Sequence, residues 1–160
     1  MNIKTIGGKL FYSGLIEPED NIIFVFGSNP EGRHGAGAAK TAREKFGAIY
    51  GKGEGLQGNS YALPTKDLRV RENNGFKSIS PEIIKDNIRR MYDVAEKNPE
   101  KLFCIAYTNT DKPSLNGYTG REMAKMFINA RGIDDVPQNI AFSDTWKPYL
   151  VPSMLTIIDE

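Results

Sequence analysis

Short apolar runs separated by polar and glycine-rich stretches form the basic pattern of this chain. The run 22–26 reads Ile-Ile-Phe-Val-Phe and predicts a buried strand, because a strand covered on both faces is continuously apolar. Segment 9–12 predicts a short edge strand, and segment 60–64 predicts a strand that stops at its final proline. Further strands are predicted at 102–107, 138–142 and 154–158.

Three segments have the apolar spacing of amphipathic helices. Segment 36–46 has small and aromatic residues along one side and basic residues mostly on the other. Segment 80–98 begins with Ser80 followed by proline, which is typical of a capped helix start. Segment 119–130 begins with Thr119 and carries a glutamate three positions later, which fits a capping box.

Strands that alternate with helices predict an α/β fold. We expect a mixed sheet with helices on both faces, which is a three-layer arrangement, and ligands in such folds bind at the carboxyl ends of the strands. Three loops are expected to meet there, at 27–37, 65–67 and 108–118. The glycine-rich segment 47–58 is expected to be a flexible loop, and the charged segment 68–77 an exposed loop that is a candidate lid.

The composition fits a single domain that spans residues 1–160. Its 21 basic and 20 acidic residues leave a net charge of +1, which excludes a global field that attracts nucleic acid or an anionic membrane. Positive charge is local instead. Basic side chains gather in the glycine-rich segment and the predicted helix beside it, which suits a small anionic ligand: Arg33, His34, Lys40, Arg43, Lys45 and Lys52.

Cysteine and histidine are too few for several kinds of chemistry. Cys104 is the single cysteine and lies in an apolar run, so we expect a packed thiol and a reducing compartment. With His34 as the single histidine, the chain offers neither a metal-ligand cluster nor a frame for Ser-His-Asp or Cys-His catalysis. We expect no protein-bound metal and no cofactor. A cytoplasmic protein with no membrane partner is also expected, since no run approaches about 20 apolar residues.

The segment after the run 22–26 has the composition of an anion-binding loop. Glycines in 32–37 let the backbone approach an anion closely, and the first N–H groups of the next helix point toward it. A P-loop is excluded, because Ala39 stands where glycine must precede the Lys-Thr pair. A dinucleotide fingerprint is excluded because Lys40 replaces its last small residue. Nucleotide-type ligands are the leading class, and a simple tight turn is the alternative.

The order of these motifs over residues 20–130 resembles the macrodomain family. Phe-Gly-Ser-Asn at 26–29 resembles the first ligand loop of that family, Gly-Ala-Gly-Ala-Ala at 35–39 its glycine loop, and Asn-Gly-Tyr at 116–118 its second phosphate loop. The resemblance implies a macrodomain-like fold that binds ADP-ribose or a related nucleotide, free or attached to a macromolecule. It implies these ligand-binding residues: Asn29, His34, Gly35, Ala36, Gly37, Thr65, Asn116, Gly117 and Tyr118.

Within the family, Leu-Pro-Thr-Lys at 63–66 is most similar to the terminal ADP-ribose glycohydrolase branch and the related DNA ADP-ribosyl glycohydrolase antitoxins. In that branch a lysine attacks the anomeric carbon of ribose, so the resemblance implies that role for Lys66, which requires a depressed lysine pKa. The branch also places a carboxylate before its last helix, and the matching segment 115–121 has none. Asp111 is the candidate substitute in proton transfer and Asp67 a second; both also fit solvated loop residues.

Several residues have two interpretations at this point. Asn29 contacts a ribose or forms an Asx turn, and His34 bonds a phosphate or is an ordinary loop residue. Tyr118 stacks on a sugar or caps its loop, Trp146 stacks on adenine or packs in the core, and Lys66 is a nucleophile or an exposed lysine. The open functions are a hydrolase that removes or processes ADP-ribose, a non-catalytic binder, and an interaction scaffold.

Overall fold

One mixed sheet of seven strands organises the computed structural model, which describes residues 1–108 and 111–151. The strands are β1 Asn2–Ile6, β2 Lys9–Ser13, β3 Ile22–Ser28, β4 Gly55–Gln57, β5 Ser60–Pro64, β6 Leu102–Ile105 and β7 Ile140–Ser143. The α-helices are α1 Gly37–Lys45, α2 Pro81–Lys97, α3 Gly120–Asn129 and α4 Lys147–Leu150. Single 3₁₀ turns lie at Glu72–Gly75, Ile133–Asp135 and Asp144–Trp146.

The strand order is β1-β2-β7-β6-β3-β5-β4. The five central strands, β2, β7, β6, β3 and β5, are parallel to one another. The two edge strands, β1 and β4, are antiparallel to their neighbours. The chain runs from β3 through α1 to β5 on one side of β3, then returns through α2 to β6 on the other side. The connections therefore diverge at β3, and a crevice opens at its carboxyl end, where α/β proteins bind ligands.

Side chains of alternating direction divide the core into two clusters, one on each face of the sheet. Ile23 and Val25 of β3 pack with residues of α2 and α3, whereas Phe24 and Phe26 pack with residues of α1. The same alternation separates Cys104 from its neighbours in β6. Helices thus cover both faces, and the predicted three-layer α/β class is confirmed.

The two helix caps predicted from the sequence are both present. The Ser80 hydroxyl accepts a hydrogen bond from the Ile83 N–H at 3.4 Å, with proline in the first turn of α2. The Thr119 side chain accepts from the Glu122 N–H at 3.1 Å, and the Glu122 carboxylate accepts from the Thr119 N–H at 3.0 Å. The capping box fixes where α3 begins, and so where the preceding loop must end.

Two predictions about strands were wrong. Segment 9–12 was expected at an edge, but β2 is internal because β1, which the sequence analysis missed, pairs beside it. Segment 47–58 was expected to be a loop throughout, yet it contains β4, since backbone pairing with β5 does not depend on side-chain type. The strand predicted at 154–158 lies outside the described residues. Among those residues, no helix is long and apolar enough to cross a membrane.

Candidate functional site

A cleft of about 780 Å³ lies at the carboxyl ends of β3, β5 and β6. It is bounded by the three loops that the sequence analysis expected to meet there. Seven of the predicted site residues line it: Asn29, Gly35, Ala36, Gly37, Thr65, Lys66 and Asn116. Arg33, one of the basic residues expected near an anionic ligand, also lines the cleft. The further lining residues, which the sequence did not single out for the site, include Leu68, Phe76, Tyr107 and Leu115.

The N-terminus of α1 forms one wall of the cleft. The helix begins at Gly37, whose positive φ of 56° suits glycine, and Ala36 before it provides no side-chain cap. The first helical bond runs from Lys40 N–H to the Ala36 carbonyl, so the N–H groups of the first turn have no intrahelical acceptor. Arg33 lines the same wall. This wall therefore offers hydrogen-bond donors and positive charge to an anion.

The Asn29 side chain braces the loop between β3 and α1. Its Oδ1 accepts a hydrogen bond from the Arg33 N–H at 2.9 Å, and its Nδ2 donates to the Arg33 carbonyl at 3.0 Å. Asn29 therefore stabilises the loop, as its interpretation as an Asx-type turn residue predicted, and both the oxygen and the nitrogen of its amide are hydrogen-bonded. A backbone hydrogen bond also ties this loop to segment 47–58, since the Gly51 N–H donates to the Gly32 carbonyl at 2.8 Å.

His34 lies behind this loop rather than in the cleft. Its ring is fully buried, packs edge-on against Phe26 with centroids 5.1 Å apart, and places Nε2 3.1 Å from the Lys52 carbonyl oxygen. The His34 side chain therefore joins segment 29–36 to segment 47–58. It is absent from the cleft lining.

Lys66 follows β5 directly and extends along the cleft. Its ammonium nitrogen lies 5.5 Å from the centroid of the Phe76 ring, which also lines the cleft. Segment 68–77, which carries this ring, turns sharply: Asn73, Asn74 and Lys77 all have positive φ values between 52° and 57°. Such conformations cost free energy in residues other than glycine and cluster at functional sites. The segment forms a wall of the cleft.

Neither candidate carboxylate belongs to the cleft lining. Asp67 accepts hydrogen bonds from the Arg69 backbone N–H at 2.9 Å and from its guanidinium at 3.0 Å, and this pairing lowers the pKa of the Asp67 carboxyl. Asp111 is 77% exposed and pairs with Arg121 at 3.5 Å. Among the described residues that line the cleft, none is aspartate or glutamate.

The turn before α3 forms another part of the cleft lining. The Asn116 carbonyl accepts from the Lys77 N–H at 2.7 Å, which docks the turn onto segment 68–77. Gly117 faces Phe76 so closely that an added Cβ would lie 2.6 Å from Phe76 Cβ. The Tyr118 hydroxyl donates to the Ile79 carbonyl at 2.7 Å, and the ring is 4% exposed. Gly117 and Tyr118 therefore support the turn from behind, and Tyr118 caps it.

Tyr107 lies on the floor of the cleft and is the main residue that the sequence analysis missed. Its hydroxyl lies 3.1 Å from Thr65 Oγ1 and 3.5 Å from Asn116 Nδ2. Burial raises its pKa to about 12, so the hydroxyl stays protonated at neutral pH. The available signal was its position just after a buried strand, where floor residues of such clefts lie. Because its neighbours are apolar, the sequence analysis placed Tyr107 at the end of the strand predicted over 102–107.

Trp146 belongs to the core. It is fully buried and packs near Tyr107, Phe127 and Phe142, with ring centroids 5.8 to 6.4 Å away. It does not line the cleft. The large apolar side chains exposed at the cleft are Leu68, Phe76 and Leu115, each at least 37% exposed.

The fold and this cleft together define an α/β protein with a crevice at the carboxyl ends of its central parallel strands. Comparisons of the chain with protein-family models, with curated proteins and with solved structures found no match. The described histidine, cysteine and acidic side chains form no group of three that would hold a metal ion.

Proposed function

We propose that this chain is a macrodomain-like protein whose cleft binds ADP-ribose or a related nucleotide metabolite. The observation that carries the proposal is the start of α1 at Gly37, with no side-chain cap, on a wall of the cleft. Unsatisfied N–H groups, the helix dipole and the Arg33 cation favour a diphosphate there. The cleft volume of about 780 Å³ lies within the range of roughly 300–1,000 Å³ that is typical of small-molecule sites.

The rest of the cleft matches the other parts of such a ligand. Phe76 and Leu115 offer exposed apolar surface for a base or a sugar face. The Thr65 hydroxyl and the Lys66 ammonium can donate hydrogen bonds to ribose or phosphate oxygens. The ligand enters as a free metabolite or as ADP-ribose attached to a macromolecule, since the cleft is open at its mouth. A cytoplasmic location stays a prediction from the sequence.

A second candidate function is hydrolysis of an ADP-ribosyl bond with Lys66 as nucleophile. It is favoured by the position of Lys66, whose side chain lines the same cleft directly after β5. It is opposed by the cleft lining, in which the described residues include no carboxylate to transfer a proton. Binding is consequently the better supported of the two functions.

Calorimetric titration with ADP-ribose tests the proposal, with AMP and NAD as comparison ligands. We expect micromolar binding of ADP-ribose by the wild type and loss of that binding in Gly37→Glu, which places a carboxylate where the diphosphate would lie. Gly51→Glu is the matched control: Gly51 also has a positive φ, is exposed, has open space around its Cα and does not line the cleft. Gly37→Ala separates backbone strain from the added charge.

Three results would contradict the proposal. The first is that the folded wild type shows no binding heat with any of the three ligands. The second is equal loss of binding in Gly37→Glu and Gly51→Glu, since a shared effect would point to general destabilisation. The third is equal affinity for AMP and ADP-ribose, which would show that the diphosphate and the second ribose add nothing to binding.

A further inference from the structure

The hydrogen bonds of the Asn116 amide fix its orientation. A backbone N–H can only donate, and the Tyr118 N–H lies 2.9 Å from one atom of this amide, which must therefore be the oxygen. The Ser114 hydroxyl donates to the same oxygen at 2.6 Å. The Asn116 NH₂ group consequently faces the other way, toward the Tyr107 hydroxyl oxygen at 3.5 Å and the Met123 sulfur at 3.6 Å.

This orientation determines the direction of the next hydrogen bond. An amide NH₂ can only donate, so the Tyr107 oxygen is the acceptor from Asn116. The single Tyr107 hydroxyl hydrogen is then directed to Thr65 Oγ1, at 3.1 Å. Tyr107 is protonated at neutral pH because burial raises its pKa, so this donor is always present. Thr65 therefore accepts a hydrogen bond from the floor of the cleft.

We propose that Tyr107 is a positioning residue that makes the Thr65 hydroxyl a hydrogen-bond donor to the ligand. Among the described residues, Thr65 Oγ1 has no other hydrogen-bond partner, and Thr65 lines the cleft. Its own hydrogen is left for an acceptor in the cleft, whose lining also includes the Lys66 ammonium, a group that only donates. This part of the cleft thus favours an oxygen lone pair, such as a ribose or phosphate oxygen, over an amine or amide N–H.

The inference rests on the proposed ADP-ribose site and is tested first by titrating four variants with ADP-ribose. Thr65→Val removes the hydroxyl at nearly constant shape, and we expect binding to weaken about tenfold. Thr65→Ser keeps the hydroxyl and should stay within about threefold of the wild type. Tyr107→Phe should weaken binding about threefold, because the Thr65 hydroxyl is no longer pre-oriented.

The fourth variant combines Tyr107→Phe with Thr65→Val and separates positioning from direct contact or general damage. If Tyr107 acts through Thr65, its replacement should change affinity by less than about twofold once the Thr65 hydroxyl is gone. An equal loss from Tyr107→Phe in both backgrounds would overturn the proposal. So would unchanged affinity in Tyr107→Phe alone. Thermal unfolding of each variant checks that it is folded at the titration temperature.

A second measurement does not depend on the ligand. Neutron diffraction from a deuterated crystal of the free protein should place the Tyr107 hydroxyl deuterium on the line to Thr65 Oγ1, and the Asn116 ND₂ group toward Tyr107. A Thr65 deuterium that points to the Tyr107 oxygen would overturn the inference. If the wild type binds no ADP-ribose but the deuterium positions are as expected, the proposed function fails while the donor assignment stands.

Discussion

The hydroxyl of Tyr107 lies against the backbone of Gly27, so that a Cβ added at Gly27 would lie 2.3 Å from Tyr107 Oη. Gly27 is the sixth residue of β3, and Tyr107 follows the neighbouring strand β6. The lack of a side chain at one position thus creates the room in which the other presents its hydroxyl to the cleft. The glycine that ends the apolar part of β3 serves the site through packing rather than through a turn.

Gly27→Ala should destabilise the fold by about 1–3 kcal/mol, because an inserted methyl group forces the Tyr107 ring or the strand to move. Denaturant unfolding measures this difference. Part of the loss should be recovered when Tyr107→Phe is added, since removal of the hydroxyl takes away the atom at 2.3 Å and leaves the ring carbon at 3.1 Å. Gly35→Ala is the control, because an added Cβ there meets no atom within 4 Å. Additive losses in the double variant would contradict this contact.

If the chain hydrolyses an ADP-ribosyl bond, Lys66→Ala should abolish turnover while ADP-ribose affinity stays within about tenfold, because only the nucleophile is lost. Lys66→Arg keeps the positive charge but supplies no neutral amine, so it should be equally inactive. A borohydride reductant should trap a covalent lysine adduct in the wild type only, detected as a mass increase. Turnover that survives in Lys66→Ala would exclude the lysine mechanism.

The Glu122 carboxylate should stabilise the start of α3 in a pH-dependent way. The Thr119 N–H and then the Lys77 ammonium lower the pKa of Glu122 in the folded protein. A lowered folded pKa gives stability that is present above the unfolded glutamate pKa of about 4.3 and is lost as pH falls through the folded value. The carboxylate is 41% exposed, so the gain at pH 7 should be at most about 1 kcal/mol.

Glu122→Gln tests this gain, since glutamine retains an oxygen for the capping box but not the charge. We expect the difference in unfolding free energy between wild type and variant to be larger at pH 7 than near pH 3. A difference that does not change with pH would show that the charge is irrelevant to the cap. Glu100→Gln, at an exposed carboxylate without an ion pair among the described residues, controls for general charge effects.

Trp146, the only tryptophan of the chain, should report on the core and not on the cleft. We expect acrylamide to quench its fluorescence several-fold less in the native protein than in the unfolded chain, because the side chain is fully buried. Saturating ADP-ribose should leave its emission maximum nearly unchanged. Strong quenching by the ligand in the native state would instead place the indole in contact with a base.

The sequence alone was sufficient for the fold class and for most of the strands and helices. Apolar runs such as that of β3 and β5 are local signals, as are the caps at Ser80 and Thr119, so they can be read without knowledge of distant partners. The loops that meet at the cleft followed from the same signals, because parallel strands share a carboxyl edge. Seven predicted site residues, Lys66 among them, line that cleft as a result.

Only the tertiary structure decided which of the loop side chains face the cleft. The His34 ring turns inward and packs on Phe26 of β3. The Tyr118 hydroxyl turns away from the cleft and donates to the carbonyl of Ile79, which lies 39 positions earlier in the chain. Tyr107 reaches the floor only because Gly27, eighty positions earlier, has no side chain. Composition and spacing describe a residue and its neighbours along the chain, whereas the direction of a side chain depends on the space that distant segments leave for it.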